Sequence, residues 1–206
     1  MTTLRPAVFM DRDGTINEEI GYLRSPEQLS LIPGAAGAIR SFNERGLVTC
    51  VISNQSGVAR GFFPESALGP IHQALADQLA RERARVDRIY YCPHHPVDGV
   101  PPYRVTCECR KPSPGMLLRG ARECGVDLRR SYTVGDRIVD VQAGRAAGTK
   151  AILVLTGYGK ETVGECQAAG LVPDLTVRDL AEAAAFILRD LGRAGAERTA
   201  GAPEAP

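Results

Sequence analysis

Short apolar runs alternate with amphipathic stretches along most of the chain. Ala7-Val8-Phe9-Met10 is unbroken and ends in acids and a glycine, the pattern of a buried strand opening into a loop. Gly34 to Arg45 carries Ala36, Ile39 and Phe42 at helical spacing and predicts a helix stopped by Gly46. Leu47 to Ile52 predicts a second strand, and Ser66 to Arg85, with Leu68, Ile71, Leu75 and Leu79 on one face, an amphipathic helix. Further strands are expected over Arg88 to Tyr91, Tyr132 to Val134 and Ala151 to Leu155. Ser113-Pro114 opens a helix that Gly125 ends, Ile138 to Ala147 forms another, and two more follow around Glu161 to Ala169 and Arg178 to Arg189. This alternation predicts an α/β fold: a doubly wound, Rossmann-like parallel sheet covered on both faces. A single domain is expected over residues 1–192. The tail 193–206, with Ala, Gly and Pro but no apolar period, is expected to be disordered.

Composition narrows the function classes. With 206 residues, 44% of them hydrophobic, the chain can build one ordinary core. A formal charge of +1 argues against nucleic-acid and membrane-surface partners, which usually select a basic excess. No apolar run approaches the ~18 residues of a membrane span, and the N-terminus lacks a signal peptide's apolar stretch, so a cytoplasmic protein is expected. The six cysteines are too few and too clustered for a disulfide framework and point to thiolate metal binding. Lysine is rare, so Lys111, lying among candidate site residues, stands out against the arginine background.

Four polar groups fall at the predicted strand ends, where open α/β sheets bind ligands. They are Asp11/Asp13, Ser53-Asn54-Gln55-Ser56, Arg110-Lys111 before a helix, and Gly135-Asp136. Two aspartates at i and i+2 repel unless a cation relieves them, and Mg²⁺ prefers such oxygen ligands. Asp11 suits a nucleophile because a carboxylate is ordinarily ionised at neutral pH. Asp13 suits the acid that protonates a leaving alkoxide and the base that then activates water. Ser53 can donate to a phosphoryl oxygen, Lys111 can supply a point charge, and Asp136 can complete a Mg²⁺ site with Asp11 and Asp13. Singly, an Asp-x-Asp is most often a solvated turn and a Gly-Asp a loop. Four such ends in order argue for phosphoryl chemistry.

A second cluster lies in the Pro-rich loop 92–110. Cys92-x-His94 and Cys107-x-Cys109 supply three thiols and an imidazole, a common structural Zn²⁺ set. The adjacent His95 is an alternative to His94, since spacing does not fix which one binds. The loop has few large apolar residues to order it, and a structural zinc contributes ~10–16 kcal/mol of apparent binding energy. It runs straight into Arg110-Lys111, so zinc is expected to hold these residues in register.

The motif Asp11-Arg12-Asp13-Gly14-Thr15, with Ser53, Lys111 and Gly135-Asp136-Arg137-Ile138-Val139-Asp140, resembles the haloacid dehalogenase superfamily of aspartate-nucleophile phosphatases over roughly residues 5 to 160. That resemblance implies a Mg²⁺-dependent reaction through an aspartyl-phosphate. It also implies a supporting role for Asp140, orienting Lys111 or a metal-bound water. Neither Thr15 to Leu47 nor Ser56 to Lys111 has room for a cap domain, so a capless enzyme is expected, with loops selecting the substrate. The segments Tyr90 to Pro96, Asn54 to Gly61 and Cys109 to Pro112 are similar to the D-glycero-D-manno-heptose 1,7-bisphosphate 7-phosphatases. This implies removal of the 7-phosphate on the way to nucleotide-activated heptose, with a small phosphorylated sugar as the only partner and a monomeric enzyme. It also implies substrate contacts from Arg110 and from a pocket lined by Gly21, Tyr22, Asn54, Gln55 and Ser56. Arg137 is expected to contact substrate too, where the family commonly has lysine. The alternatives are a histidinol-phosphate phosphatase, also with a zinc loop, and a non-enzymatic phospho-acceptor signalling domain.

Overall fold

The computed structural model describes residues 4–200, with side chains through Arg193. Its strands are β1 (Ala7–Met10), β2 (Val48–Asn54), β3 (Arg88–Cys92), β4 (Tyr132–Gly135), β5 (Lys150–Val154) and β6 (Leu175–Val177). They lie side by side in the order β3-β2-β1-β4-β5-β6, each neighbouring pair parallel. The helices are α1 (Ala35–Glu44), α2 (Ser56–Ala59), α3 (Leu68–Arg81), α4 (Gly115–Cys124), α5 (Ile138–Ala147), α6 (Gly159–Ala168) and α7 (Leu180–Ala200).

Both faces of the sheet are covered, as the nearly continuous apolar strands require. Val8 and Met10 of β1 join Ile39 and Phe42 of α1, Ile71 and Leu75 of α3, and Leu180 and Ile187 of α7 in one core. Ala7 and Phe9, pointing the other way, meet Met116 and Leu117 of α4 and Ala143 of α5. Burying each large side chain stabilises the fold by about 1.5–3 kcal/mol before conformational entropy is counted. No helix among the described residues is long and apolar enough to cross a membrane.

Two expectations change. Leu175–Val177 forms a sixth strand at the sheet edge, ahead of the helix expected from Arg178. Three residues are too short a run for periodicity to reveal. The predicted disordered tail meets α7, which continues past Arg193 to Ala200. Alanine, arginine and glutamate are strong helix formers and extend a helix without an apolar face. Residues 201–206 lie outside the described residues.

Winding reverses between β1 and β4. From β1 the chain builds outward through β2 to β3, then returns to β4 on the opposite side and continues to β6. The crevice at the carboxyl ends of β1 and β4 is where such sheets bind ligands.

Candidate active site

Asp11 follows β1 and Asp136 follows β4, so the switch point brings together two carboxylates 125 residues apart in sequence. Their oxygens and those of Asp140 lie within 4.8 Å of one another. Burial pushes Asp11 up to about 7 against the pull of Lys111, with Asp140 and Asp13 adding to the rise. Burial, then Asp11 and Asp140, push Asp136 up to about 8. The rise at both acids marks a buried excess of negative charge beyond what Lys111 offsets, which a divalent cation would relieve.

The donor set fits one. Asp136 Oδ2 accepts from the Tyr158 N–H at 2.8 Å, while its buried Oδ1 has no hydrogen-bond partner. Asp140 is already committed: Oδ1 lies 2.6 Å from Lys111 Nζ, and Oδ2 accepts from the Arg137 N–H at 3.0 Å. Asp11 and Asp136 are thus the carboxylates left to hold a hard divalent ion. The carboxylate of Asp13, expected as a third ligand, is not part of this group. It accepts two bonds from Arg12 Nη2, at 3.0 and 2.7 Å, one from Arg12 Nε at 3.1 Å, one from Asn17 at 2.9 Å and one from Gln55 at 3.0 Å. Burial works against its ionisation, but the Arg12 charge and these hydrogen bonds outweigh that and leave its pKa below the ordinary value. A fully buried arginine thus pairs with this carboxylate.

Glycine makes the crowding possible. A Cβ on Gly14 (φ +77°) would lie 2.3 Å from Asp136 Oδ2, and one on Gly157 would lie 2.2 Å from the same atom. The loops after β1 and β5 therefore close directly on the Asp136 carboxylate.

Lys111 is buried, and its Nζ reaches Asp11 Oδ1 at 2.9 Å, Asp140 Oδ1 at 2.6 Å and the Ile52 carbonyl at 2.7 Å. Burial alone would discharge it; the two carboxylates outweigh burial and raise its pKa. Its ammonium is thus a charge fixed between two carboxylates and a carbonyl. Asp140 therefore orients the lysine. Ser53 Oγ accepts from Gln55 Nε2 at 2.6 Å, which leaves its own proton to donate. Asn54 lines the cleft, but its amide is paired with the Lys111 backbone, donating to its carbonyl at 2.9 Å and accepting its N–H at 3.0 Å. It holds the lysine backbone and keeps its second amide N–H to offer.

The cleft has a volume of about 380 Å³. Gly21, Tyr22, Gln55, Ser56, Arg110 and Arg137 all line it, as expected. Glu19, Arg60 and Tyr158 join them without having been singled out in the sequence.

In the neighbouring loop, Cys92 Sγ lies 3.5 Å from Cys107 Sγ, which lies 3.2 Å from Cys109 Sγ. His94 Nδ1 lies 3.7 Å from Cys92 Sγ and 3.5 Å from Cys109 Sγ. Sulfurs around one tetrahedral zinc stand roughly 3.8 Å apart, so this donor set fits such an ion. His95 is not in the group; its Nδ1 accepts the Val97 and Asp98 N–H groups at 3.4 and 2.8 Å. The cluster touches the cleft through Arg110, whose Nη1 donates to the His94 carbonyl at 3.1 Å.

Comparison with known proteins agrees with this arrangement. A family model described as HAD-hydrolase-like matches residues 108–183. A D-glycero-β-D-manno-heptose-1,7-bisphosphate 7-phosphatase from Yersinia pestis is 44% identical over 170 residues, covering 82% of this chain and 90% of the relative. One from Rhodopseudomonas palustris is 46% identical over 144 residues, covering 70% and 80%. The crystal structure of a D,D-heptose 1,7-bisphosphate phosphatase from B. bronchiseptica, complexed with magnesium and phosphate, superposes with a TM-score of 0.79 at 36% identity, covering 90% of this chain and 99% of that one. The chain belongs to the heptose bisphosphate phosphatase family of haloacid dehalogenase-like hydrolases. It is a phosphoric monoester hydrolase.

Within this family fold, the loop after β5 adds residues that motif reading passed over. Thr156 Oγ1 donates to the Gly14 carbonyl at 2.6 Å, and Tyr158 N–H holds Asp136. A glycine-rich turn directly after a predicted strand was the available signal, the same one used at the other strand ends.

Proposed function

We propose that this enzyme removes the 7-phosphate of D-glycero-β-D-manno-heptose 1,7-bisphosphate, on the way to nucleotide-activated heptose, through an aspartyl-phosphate on Asp11. The observation that carries the chemistry is the buried Asp11 carboxylate, pinned through Oδ1 by Lys111 beside an orphaned Asp136 oxygen. The substrate reading rests on the activity named for relatives at 44% and 46% identity.

A magnesium ion held by Asp11 and Asp136 would supply the positive charge that keeps both acids ionised and draws in the phosphoryl group. An oxygen of Asp11 forms a bond to phosphorus as the bond from phosphorus to the C7 oxygen breaks. Lys111 and the Ser53 hydroxyl stabilise charge on the phosphoryl oxygens. Asp13 gives its proton to the departing alkoxide; the approaching phosphoryl anion raises its proton affinity above that of the resting site. Asp13 then takes a proton from water as that water attacks phosphorus, releasing phosphate and restoring the Asp11 carboxylate. Arg12 keeps the ionised Asp13 aimed for this second half. With no cap, Arg110 and Arg60, on loops bridged by the Arg60–Asp98 ion pair at 2.8 Å, face the rest of the substrate. All of these groups come from one chain, which suits a monomer. Zinc at Cys92, His94, Cys107 and Cys109 would fix the loop that carries Arg110.

The test is kcat/KM with Mg²⁺ on both heptose bisphosphate anomers, histidinol phosphate and p-nitrophenyl phosphate. The β-bisphosphate is expected to lead, with one phosphate released per sugar. Preference for histidinol phosphate would overturn the substrate reading while keeping the chemistry.

A further inference from the structure

Arg137 stands immediately after Asp136, and its guanidinium carbon lies 3.7 Å from the ring centroid of Tyr158. That is close for a cation over an aromatic face, where contact extends to about 6 Å. The same tyrosine reaches the site a second way, since its backbone N–H holds Asp136 Oδ2 at 2.8 Å. The turn carrying it is tied to the first loop by Thr156 on the Gly14 carbonyl. Tyr158 therefore sits on a braced turn, and its ring is a fixed surface. Arg137 is exposed, and no side-chain carboxylate among the described residues pairs with its guanidinium. Its backbone is held by Asp140. An arginine lying flat on a ring keeps its N–H edge free for a planar or multidentate acceptor. Both residues line the cleft, as do Arg110 and Arg60 from the zinc-loop side.

We propose that Tyr158 is a specificity-determining positioning residue: it holds Arg137 as a flat guanidinium wall that binds the part of the substrate beyond the reacting phosphate. Its ligand is the polyhydroxy body or second phosphate of a sugar bisphosphate. This rests on the phosphatase reading above and deepens it. The ring acts only through Arg137, because its backbone contact to Asp136 survives any change of side chain.

The experiment compares wild type with Tyr158→Phe, Tyr158→Leu, Arg137→Ala and the Tyr158→Leu/Arg137→Ala double variant, on the β-heptose bisphosphate and on p-nitrophenyl phosphate. Tyr158→Leu should raise KM for the bisphosphate roughly fivefold to tenfold with kcat nearly unchanged. Tyr158→Phe should keep wild-type KM, since the ring face remains. Neither should alter kcat/KM on p-nitrophenyl phosphate, which has no second half to bind. The double variant should be no worse than Arg137→Ala alone. An unchanged KM in Tyr158→Leu overturns the inference, as does an equal loss on both substrates or additive losses in the double variant. Failure of wild type to hydrolyse any sugar bisphosphate defeats the substrate reading and this inference together. Success of wild type with an indifferent Tyr158→Leu defeats this inference alone.

Discussion

The phosphate site and the zinc-type loop lie side by side but are built in opposite ways. Asp11, Ser53 and Asp136 stand at the ends of β1, β2 and β4, so the buried sheet sets their spacing and the side chains need only short reach. Past Cys92, the last residue of β3, residues 93–110 form no helix and no strand beyond the isolated His95–Arg104 bridge, and their order comes from one sulfur and imidazole cluster plus a few sutures. Among these, the Val100 N–H donates to the Ala59 carbonyl at 2.9 Å, and Tyr91 and Tyr103 both donate to Glu65, at 3.0 and 2.7 Å. The proposed chemistry thus draws mostly on the rigid scaffold, while Arg110, proposed for recognition, sits on a loop whose order rests on that cluster. Losing the cluster should therefore damage substrate binding and alignment without dissolving the sheet.

The strongest way to break this contrast is Cys107→Ser. It should reduce kcat/KM on the bisphosphate by on the order of 10²-fold, through displacement of Arg110 and Lys111, while far-UV circular dichroism stays close to wild type. Chelation should separate the two regions: added Mg²⁺ should restore activity only while zinc remains bound. Loss of the whole fold in Cys107→Ser would show the loop to be part of the scaffold. Next in size is Asp140→Asn, which weakens the clamp on Lys111 from the first turn of α5. It should lower kcat roughly tenfold on p-nitrophenyl phosphate and on the bisphosphate alike, because the lysine it orients faces only the reacting phosphate in the proposed reaction. A loss confined to the larger substrate would place Asp140 in recognition.

The smallest effect belongs to His72 on α3, whose ring centroid lies 5.5 Å from that of Tyr91. Burial pulls its pKa down to about 4, Arg12 adding to this and Asp13 opposing it. A folded pKa below the unfolded value of about 6.5 means the unfolded chain binds the extra proton first. His72 therefore costs nothing above pH ~6.5, and stability is lost as pH falls from there towards 4. The loss is on the order of 1–2 kcal/mol by pH 5. His72→Gln should flatten the decline in Tm between pH 7 and 5; an unchanged slope would contradict the assignment.

What was readable in the sequence divides along local and non-local lines. Asp11, Ser53, Lys111 and Asp136 announce themselves because each follows a short apolar run or precedes a helix, and sheet topology does the rest. The Cys and His spacings identify a metal loop in the same way. The choice of His94 over His95 needed coordinates, since it depends on which imidazole the loop's own N–H groups occupy. The Asp13 carboxylate lies outside the Asp11, Asp136 and Asp140 group because Arg12, read as the variable residue between two acids, folds back and pairs with it. Asn54 lines the cleft as expected and is also a brace for the Lys111 backbone, a pairing 57 residues apart in sequence that no local pattern could show. The Thr156 to Tyr158 turn carries no acid or cysteine, so its glycine directly after a strand was the sole signal, and that did not name Asp136 as its contact.

The central claim is that Asp11 itself is transiently phosphorylated, and one rapid-quench experiment tests it most directly. Asp13→Asn should stall breakdown of the adduct, while p-nitrophenyl phosphate, with its good leaving group, still forms it without an acid. Acid quench and peptide mass mapping should then find one phosphoryl group on Asp11, removable by hydroxylamine. A burst of p-nitrophenol with Asp11 unmodified, or with the phosphoryl group on another residue, would contradict the account.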